Sequence, residues 1–187
     1  NLKSQLNEKK GLMENYNSVL AENVSLKEIL GRKKEKATAE NIILSAILAK
    51  PNQSPYDTLI IDTGAKQGIK IGDMVFALGD IPIGRVSIVH PNSSKVILFS
   101  NPGEKTQAIA SGKNISIEII GRGGGNFEII LPRDFTLAKG DQVVLPGIFP
   151  YVLGIIEAII SDPRDPFIKA LLVSPVNIQE LKFVEVE

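Results

Sequence analysis

The feature that most limits what this chain can fold into is a pattern that it spells twice. The first pass runs through Ile71-Gly72-Asp73-Met74-Val75, Gly84-Arg85-Val86 and Val96-Ile97-Leu98-Phe99-Ser100. The second runs through Lys139-Gly140-Asp141-Gln142-Val143, Gly154-Ile155-Ile156 and Lys169-Ala170-Leu171-Leu172-Val173-Ser174. Each Gly-Asp pair predicts a turn that launches a strand. The glycine supplies a backbone conformation costly for other residues, and the carboxylate accepts local N–H bonds. From turn glycine to second glycine is 12 residues in the first pass (72 to 84) and 14 in the second (140 to 154). Gly72, Asp73, Gly140 and Asp141 are therefore expected to be equivalent structural turns in two copies of one all-β unit.

The vocabulary after Lys36 supports this reading. It is Ile, Val, Leu, Gly and Pro, with turn signals about every 8–12 residues, as in sandwiches and barrels. Strands are expected at 40–50, 58–62, 74–78, 84–90, 95–100 and 106–110, and again at 115–120, 127–131, 142–145, 154–161, 167–173 and 182–186. Asn101-Pro102-Gly103, Leu131-Pro132-Arg133-Asp134 and Asp162-Pro163-Arg164-Asp165-Pro166 supply turn chemistry between them. The fold class expected is mainly β: about twelve strands in two six-stranded units, whose closure into two small six-stranded barrels would remove exposed edges, preceded by an N-terminal coiled-coil helix.

That helix is read from residues 2–30, which contain no proline and one glycine, Gly11. Alternate steps of three and four give Leu2, Gln5, Lys9, Leu12, Tyr16, Val19, Asn23, Leu26 and Leu30. From Leu12 onward the stripe is apolar except for Asn23, which falls at an a position, where one buried Asn fixes register and chain number at a cost in stability. Leu12, Tyr16, Val19, Asn23, Leu26 and Leu30 are thus the expected dimerisation seam. A helix of about four heptads is marginal alone and wants a partner. The competing arrangement is one amphipathic helix folded onto the β-domains.

Charge and composition exclude several functions. Lys+Arg and Asp+Glu balance at 21 each, Trp is absent and aromatics are 5%, which argues against nucleic-acid binding. Residues 1–36 hold eight basic and five acidic side chains, net +3, leaving the remainder at net −3. There is no cysteine, so disulfides, thiolate metal sites and cysteine nucleophiles are excluded. The longest nearly apolar run, Ile42 to Ala49, is eight residues, against about 20 for a membrane span. The chain opens on Asn1, and we expect an excised fragment whose natural N-terminus, with any anchor, has been left off.

No catalytic, cofactor or metal site is expected. A double barrel invites a serine-protease reading, but a triad needs a base, an orienting acid and a nucleophile from converging segments. The sole histidine, His90, is followed within a turn by Ser93 and Ser94, too near in sequence for that geometry. Gly121-Arg122-Gly123-Gly124-Gly125-Asn126 could cradle phosphate only ahead of a helix N-terminus. A strand-like run follows it, so it reads as a flexible hairpin tip. The carboxylates Asp62, Asp73, Asp80, Asp134 and Asp141 sit singly in turns, without the convergence that a metal needs.

Taken in order, these segments resemble the MreC family of bacterial rod shape-determining proteins. The resemblance is carried by Glu22-Asn23-Val24-Ser25-Leu26-Lys27-Glu28-Ile29-Leu30, Ala37-Thr38-Ala39-Glu40-Asn41-Ile42 and Ile61-Asp62-Thr63-Gly64. It continues through Gly68-Ile69-Lys70-Ile71-Gly72-Asp73, Ile83-Gly84-Arg85-Val86, Lys139-Gly140-Asp141-Gln142-Val143-Val144, Phe149-Pro150 with Gly154, and Val173-Ser174-Pro175-Val176. The resemblance implies barrels similar to the halves of chymotrypsin-like proteases. It also implies a non-catalytic extracytoplasmic scaffold of the cell-wall elongation machinery, anchored to the cytoplasmic membrane by an N-terminal helix absent from this chain. Expected partners are a second copy or higher self-assembly, a class B penicillin-binding transpeptidase and other elongation-complex proteins. Expected domains are 1–36 as coiled-coil helix, 37–112 as first barrel and 113–187 as second, the resemblance allowing a strand from 38–50 to complete the other barrel. The alternatives are a double-barrel hydrolase and an unrelated barrel adaptor.

One loop stands out as a candidate partner-binding segment. Pro146-Gly147-Ile148-Phe149-Pro150-Tyr151 carries Ile148, Phe149 and Tyr151 where a loop is normally polar, and clustered aromatics mark interfaces. The alternative is that Phe149 plugs one barrel end.

Overall fold

The structure is a computed structural model and describes residues 2–29, 42–51, 57–77, 80–111, 115–147 and 150–187. The chain divides into two compact units, Asn1–Thr38 and Ala39–Glu187. Among its described residues the first holds the helix α1 (Leu2–Ile29), whose side chains are described for residues 5–19. Leu30, the last residue of the expected seam, lies outside the described residues.

The second unit contains twelve strands among the described residues: β1 (Ile43–Ala49), β2 (Thr58–Ile61), β3 (Met74–Ala77), β4 (Ile81–Val89), β5 (Ser94–Leu98), β6 (Lys105–Ala110), β7 (Ile115–Gly123), β8 (Asn126–Pro132), β9 (Gln142–Val144), β10 (Val152–Ser161), β11 (Phe167–Val173) and β12 (Phe183–Val186). All twelve expected strands are present. A 3-10 turn, Ala65–Gln67, interrupts the β vocabulary.

The strands close into two antiparallel barrels, in the orders β1-β12-β3-β4-β5-β2 and β10-β11-β8-β7-β6-β9. Each is filled by the inward half of a period-2 alternation. On β5, Ser94, Val96 and Leu98 are buried while Lys95 and Ile97 are half-exposed. On β11, Ile168, Ala170 and Leu172 are buried. The first core gathers Leu59, Ile61, Val75, Val86, Leu98 and Val184. The second gathers Ile119, Phe127, Ile129, Leu153, Ile156 and Leu172. Each such side chain contributes roughly 1.5–3 kcal/mol on burial.

Barrel membership departs from chain order, and this corrects the expected boundary at 112/113. β6 belongs to the second barrel, because Ala108 and Ala110 point into its core. β12, the last strand, returns to close the first barrel between β1 and β3, with Val184 and Val186 inside. β1 does not complete the second barrel. It pairs with β12 and β2 in the first, where Ile43 and Ile47 pack on the core.

Candidate functional site

Three places in the molecule can do something beyond filling a core: the face of α1, the outer walls of the barrels, and the joint between them. On α1, Leu12, Tyr16 and Val19 of the expected seam are exposed. Leu6 and Met13 are exposed as well and were missed by the sequence reading. Their signal was present, since Leu6 and Met13 are seven apart, one position beyond Gln5 and Leu12. Together the two columns make an apolar face wider than a strict a/d seam. Asn23 and Leu26 lie within α1, in the part whose side chains are not described.

The outer walls carry apolar side chains where alternation would place polar ones. Ile130 on β8 and Ile160 on β10 flank Lys169 on β11 in register, and they are 49% and 54% exposed. Beside them Glu128 is almost fully buried on the outside of the barrel, held by Arg122 at 2.5 Å and Lys169 at 3.1 Å. Burial pushes its carboxyl pKa up, but the hydrogen bonds and charges of Arg122 and Lys169 outweigh this and hold it below the usual carboxylate range. On the first barrel Leu44 and Leu48 of β1 are exposed, with Phe183 of β12 opposite Ala46 between them.

The joint between the barrels is built by residues that leave one barrel and bury in the other. Met74 and Phe99 belong to first-barrel segments but pack with the second core. Phe76, 4% exposed, meets Tyr151 with ring centroids 5.0 Å apart. Of the expected partner-binding loop, Tyr151 is thus engaged at the joint, while Ile148 and Phe149 lie outside the described residues. Burial, then the nearby charges of Glu187 and Asp80, push the Tyr151 pKa up.

Asp57 adds a polar cluster to the joint. It stands just before β2 and is buried. Its Oδ2 accepts bonds from the Ser100 hydroxyl, on the segment that leads to the second barrel, and from the Gly124 N–H at 2.9 Å, in the β7–β8 turn. Its backbone N–H donates to Asn101 Oδ1 at 2.8 Å. The glycine-rich stretch is therefore no loose hairpin tip. Gly123, Gly124 and Gly125 have φ of 94°, 63° and 82°. Gly123 N–H donates to Ser100 O at 2.6 Å, and Gly125 O accepts from Ser174 N–H at 2.7 Å. At Gly121 an added Cβ would meet Asn101 O at 2.2 Å, so only glycine lets the hairpin seat.

The residues weighed for catalysis are engaged in local hydrogen bonds. The Ser94 hydroxyl is buried and donates to the Thr63 carbonyl at 2.8 Å. His90 uses its backbone, donating to Ser93 O at 2.8 Å and accepting from Ala65 N–H at 2.9 Å. Among the described residues no group of three His, Cys, Asp or Glu is placed to hold a metal. Also among them, no helix is long and apolar enough to cross a membrane.

Against this geometry, residues 47–187 match the family model described as "Rod shape-determining protein MreC, barrel core". The chain belongs to the MreC family. Its fold is shared with solved MreC structures. One from Listeria monocytogenes is 24% identical, covers 99% of this chain and 92% of its own, and superposes with a TM-score of 0.74. One from Pseudomonas aeruginosa is 19% identical over 78% of this chain and 98% of its own, with a TM-score of 0.70. A third is the complex of a penicillin-binding protein (PBP2) with MreC from Helicobacter pylori. It is 9% identical, covers 78% of this chain and 96% of its own, and has a TM-score of 0.53. No curated protein sequence matches the chain.

Proposed function

We propose that this MreC-family chain is a non-catalytic extracytoplasmic scaffold. It holds a class B penicillin-binding transpeptidase at fixed geometry in the cell-wall elongation machinery, pairs with a second copy through α1, and is tied to the cytoplasmic membrane by a segment preceding α1. The observation that carries the reading is family membership over residues 47–187, together with barrels whose interiors are packed with side chains rather than opened as a cleft. The Helicobacter pylori family member occurs in complex with a penicillin-binding protein, which supports the same class of partner here. The exposed apolar walls at Ile130 and Ile160 and at Leu44, Leu48 and Phe183 are the surface that such a partner would use.

The test is direct binding. The immobilised chain should retain the extracytoplasmic part of one class B transpeptidase from the same bacterium in a saturable manner, and should not turn over peptide or ester substrates. If none of the transpeptidases bound, the partner assignment would fail. Turnover lost on Ser94→Ala would restore the hydrolase.

A further inference from the structure

Two barrels in one chain ordinarily move against one another unless the interface between them is large and apolar. These two are connected by two segments, 99–104 and 174–182. Here the apolar part of the joint is small, made by Met74, Phe76, Phe99 and Tyr151. Next to Phe99 it is joined by a polar cluster around one buried carboxylate. Asp57 is 3% exposed. Its Oδ2 accepts hydrogen bonds from the Ser100 hydroxyl and the Gly124 N–H, while its own backbone N–H donates to Asn101 Oδ1. Those three partners come from the interbarrel segment and the second barrel, whereas Asp57 leads into β2 of the first. Hydrogen bonds to a charged acceptor are stronger than neutral ones, and they are directional.

We infer that Asp57 is a positioning residue that latches the second barrel to the first at one angle, and that transpeptidase recognition depends on that angle. This rests on the scaffold reading above for its second half only. The logic is preorganisation. A partner touching both barrels binds most tightly when it does not have to order them. Arg85 of β4 and Glu104, just before β6, form an ion pair at the 99–104 segment. Both are solvent-exposed enough that the pair contributes little by itself. The buried carboxylate is the member whose loss leaves donors unsatisfied.

The chain contains no cysteine, so a spin-label pair can be introduced without side reactions. Lys66→Cys in the 3-10 turn after β2 and Ser116→Cys on β7 are exposed positions in different barrels and outside the apolar walls assigned to the partner. With Asp57 intact, electron–electron distance measurement should return one narrow distribution. Asp57→Ala should broaden or split it and weaken transpeptidase binding about tenfold, as when roughly a tenth of molecules hold the competent angle. Asp57→Asn, which keeps an acceptor oxygen, should give a narrower distribution than Asp57→Ala. Ser100→Ala removes one donor only and serves if Asp57→Ala does not fold.

A distribution unchanged in both Asp57→Ala and Ser100→Ala would overturn the latch. A broadened distribution with unchanged affinity would overturn the dependence of recognition on the angle. If the parent chain binds no transpeptidase, the scaffold reading fails while the distance arm still decides the latch.

Discussion

Gly72 and Gly140 hold the same place in their two barrels. Their φ angles are 96° and 91°. Gly72 N–H donates to Val86 O at 2.9 Å, and Gly140 N–H donates to Ile156 O at 2.8 Å. Val86 and Ile156 each lie two residues past the second glycine of their pass, Gly84 and Gly154, and both are buried in a core. The following carboxylates repeat too: Asp73 Oδ2 accepts from Lys70 N–H at 2.7 Å, and Asp141 Oδ2 from Ala138 N–H at 2.9 Å. Val75 and Val143, each three residues past the turn glycine, pair with Gly84 and Gly154, so the extra two residues of the second pass fall beyond that strand, in the connection to the next, and leave this bonding unchanged. The second glycines differ. A Cβ at Gly84 would meet Ile97 O at 2.3 Å, whereas at Gly154 its nearest neighbour would be Leu172 Cβ at 3.4 Å.

Because nothing lies within 4 Å of a Cβ added at Gly72 or Gly140, substitution there meets backbone strain and no clash. Gly72→Val and Gly140→Val should each cost about 1–2 kcal/mol, the penalty of a left-handed conformation. That corresponds to a melting temperature lower by roughly 2–8 °C for a chain of this size. Asn tolerates the conformation better, so Gly140→Asn should lose less. Equal losses for Val and Asn in thermal circular dichroism would point to a cause other than φ.

All twelve strands were legible in the sequence, since alternation on β5 or β11 and turns such as Asn101-Pro102-Gly103 are local signals. Barrel membership was not. The inward pair Val184 and Val186 announces a half-buried strand, but no local feature says that it lies between β1 and β3. The joint was hidden for the same reason. Asp57 and Gly124 are 67 residues apart, and a lone Asp before a strand reads as a turn. The glycine cluster was visible, but glycine signals both looseness and close approach. Only the position of Asn101 O against Gly121 decides for the second.

Glu128 gives the fold a pH dependence of definite sign. Its folded pKa is held below the ordinary carboxylate value by Arg122 and Lys169. The stabilisation is present above the unfolded pKa and is lost as pH falls through the folded one. Glu128→Gln should therefore lower the melting temperature at neutral pH and flatten its fall between pH 5 and 3, on the order of the usual acid range. A parallel acid profile in the variant would show that the loss arises from other carboxylates.

Tyr151→Ala separates a joint residue from a docking residue. The ring packs on Phe76, and such a pair contributes about 0.5–1.5 kcal/mol beyond its buried area. We expect a melting temperature lower by about 3–6 °C, with transpeptidase affinity retained in the fraction that stays folded. Unchanged melting with lost affinity would return Tyr151 to the partner surface along with its neighbours Ile148 and Phe149.

The last prediction concerns pairing through α1. Leu12, Tyr16 and Val19 are exposed on one stripe, and Leu6 and Met13 are exposed on the next. A 28-residue helix with such a face is marginal in water without a partner to cover it. Leu12→Asp with Val19→Asp would bury two charges in a self-paired seam. Sedimentation should then report half the parent mass, with the β signal in circular dichroism unchanged. Asn23→Val tests the register. Replacing a buried a-position Asn by an apolar residue should raise the helix melting temperature and admit additional oligomeric states. If mass did not change in the Asp variant, the helix would not be the pairing element. If mass halved but Asn23→Val left both melting and oligomeric state untouched, pairing would be real and Asn23 would lie outside the seam.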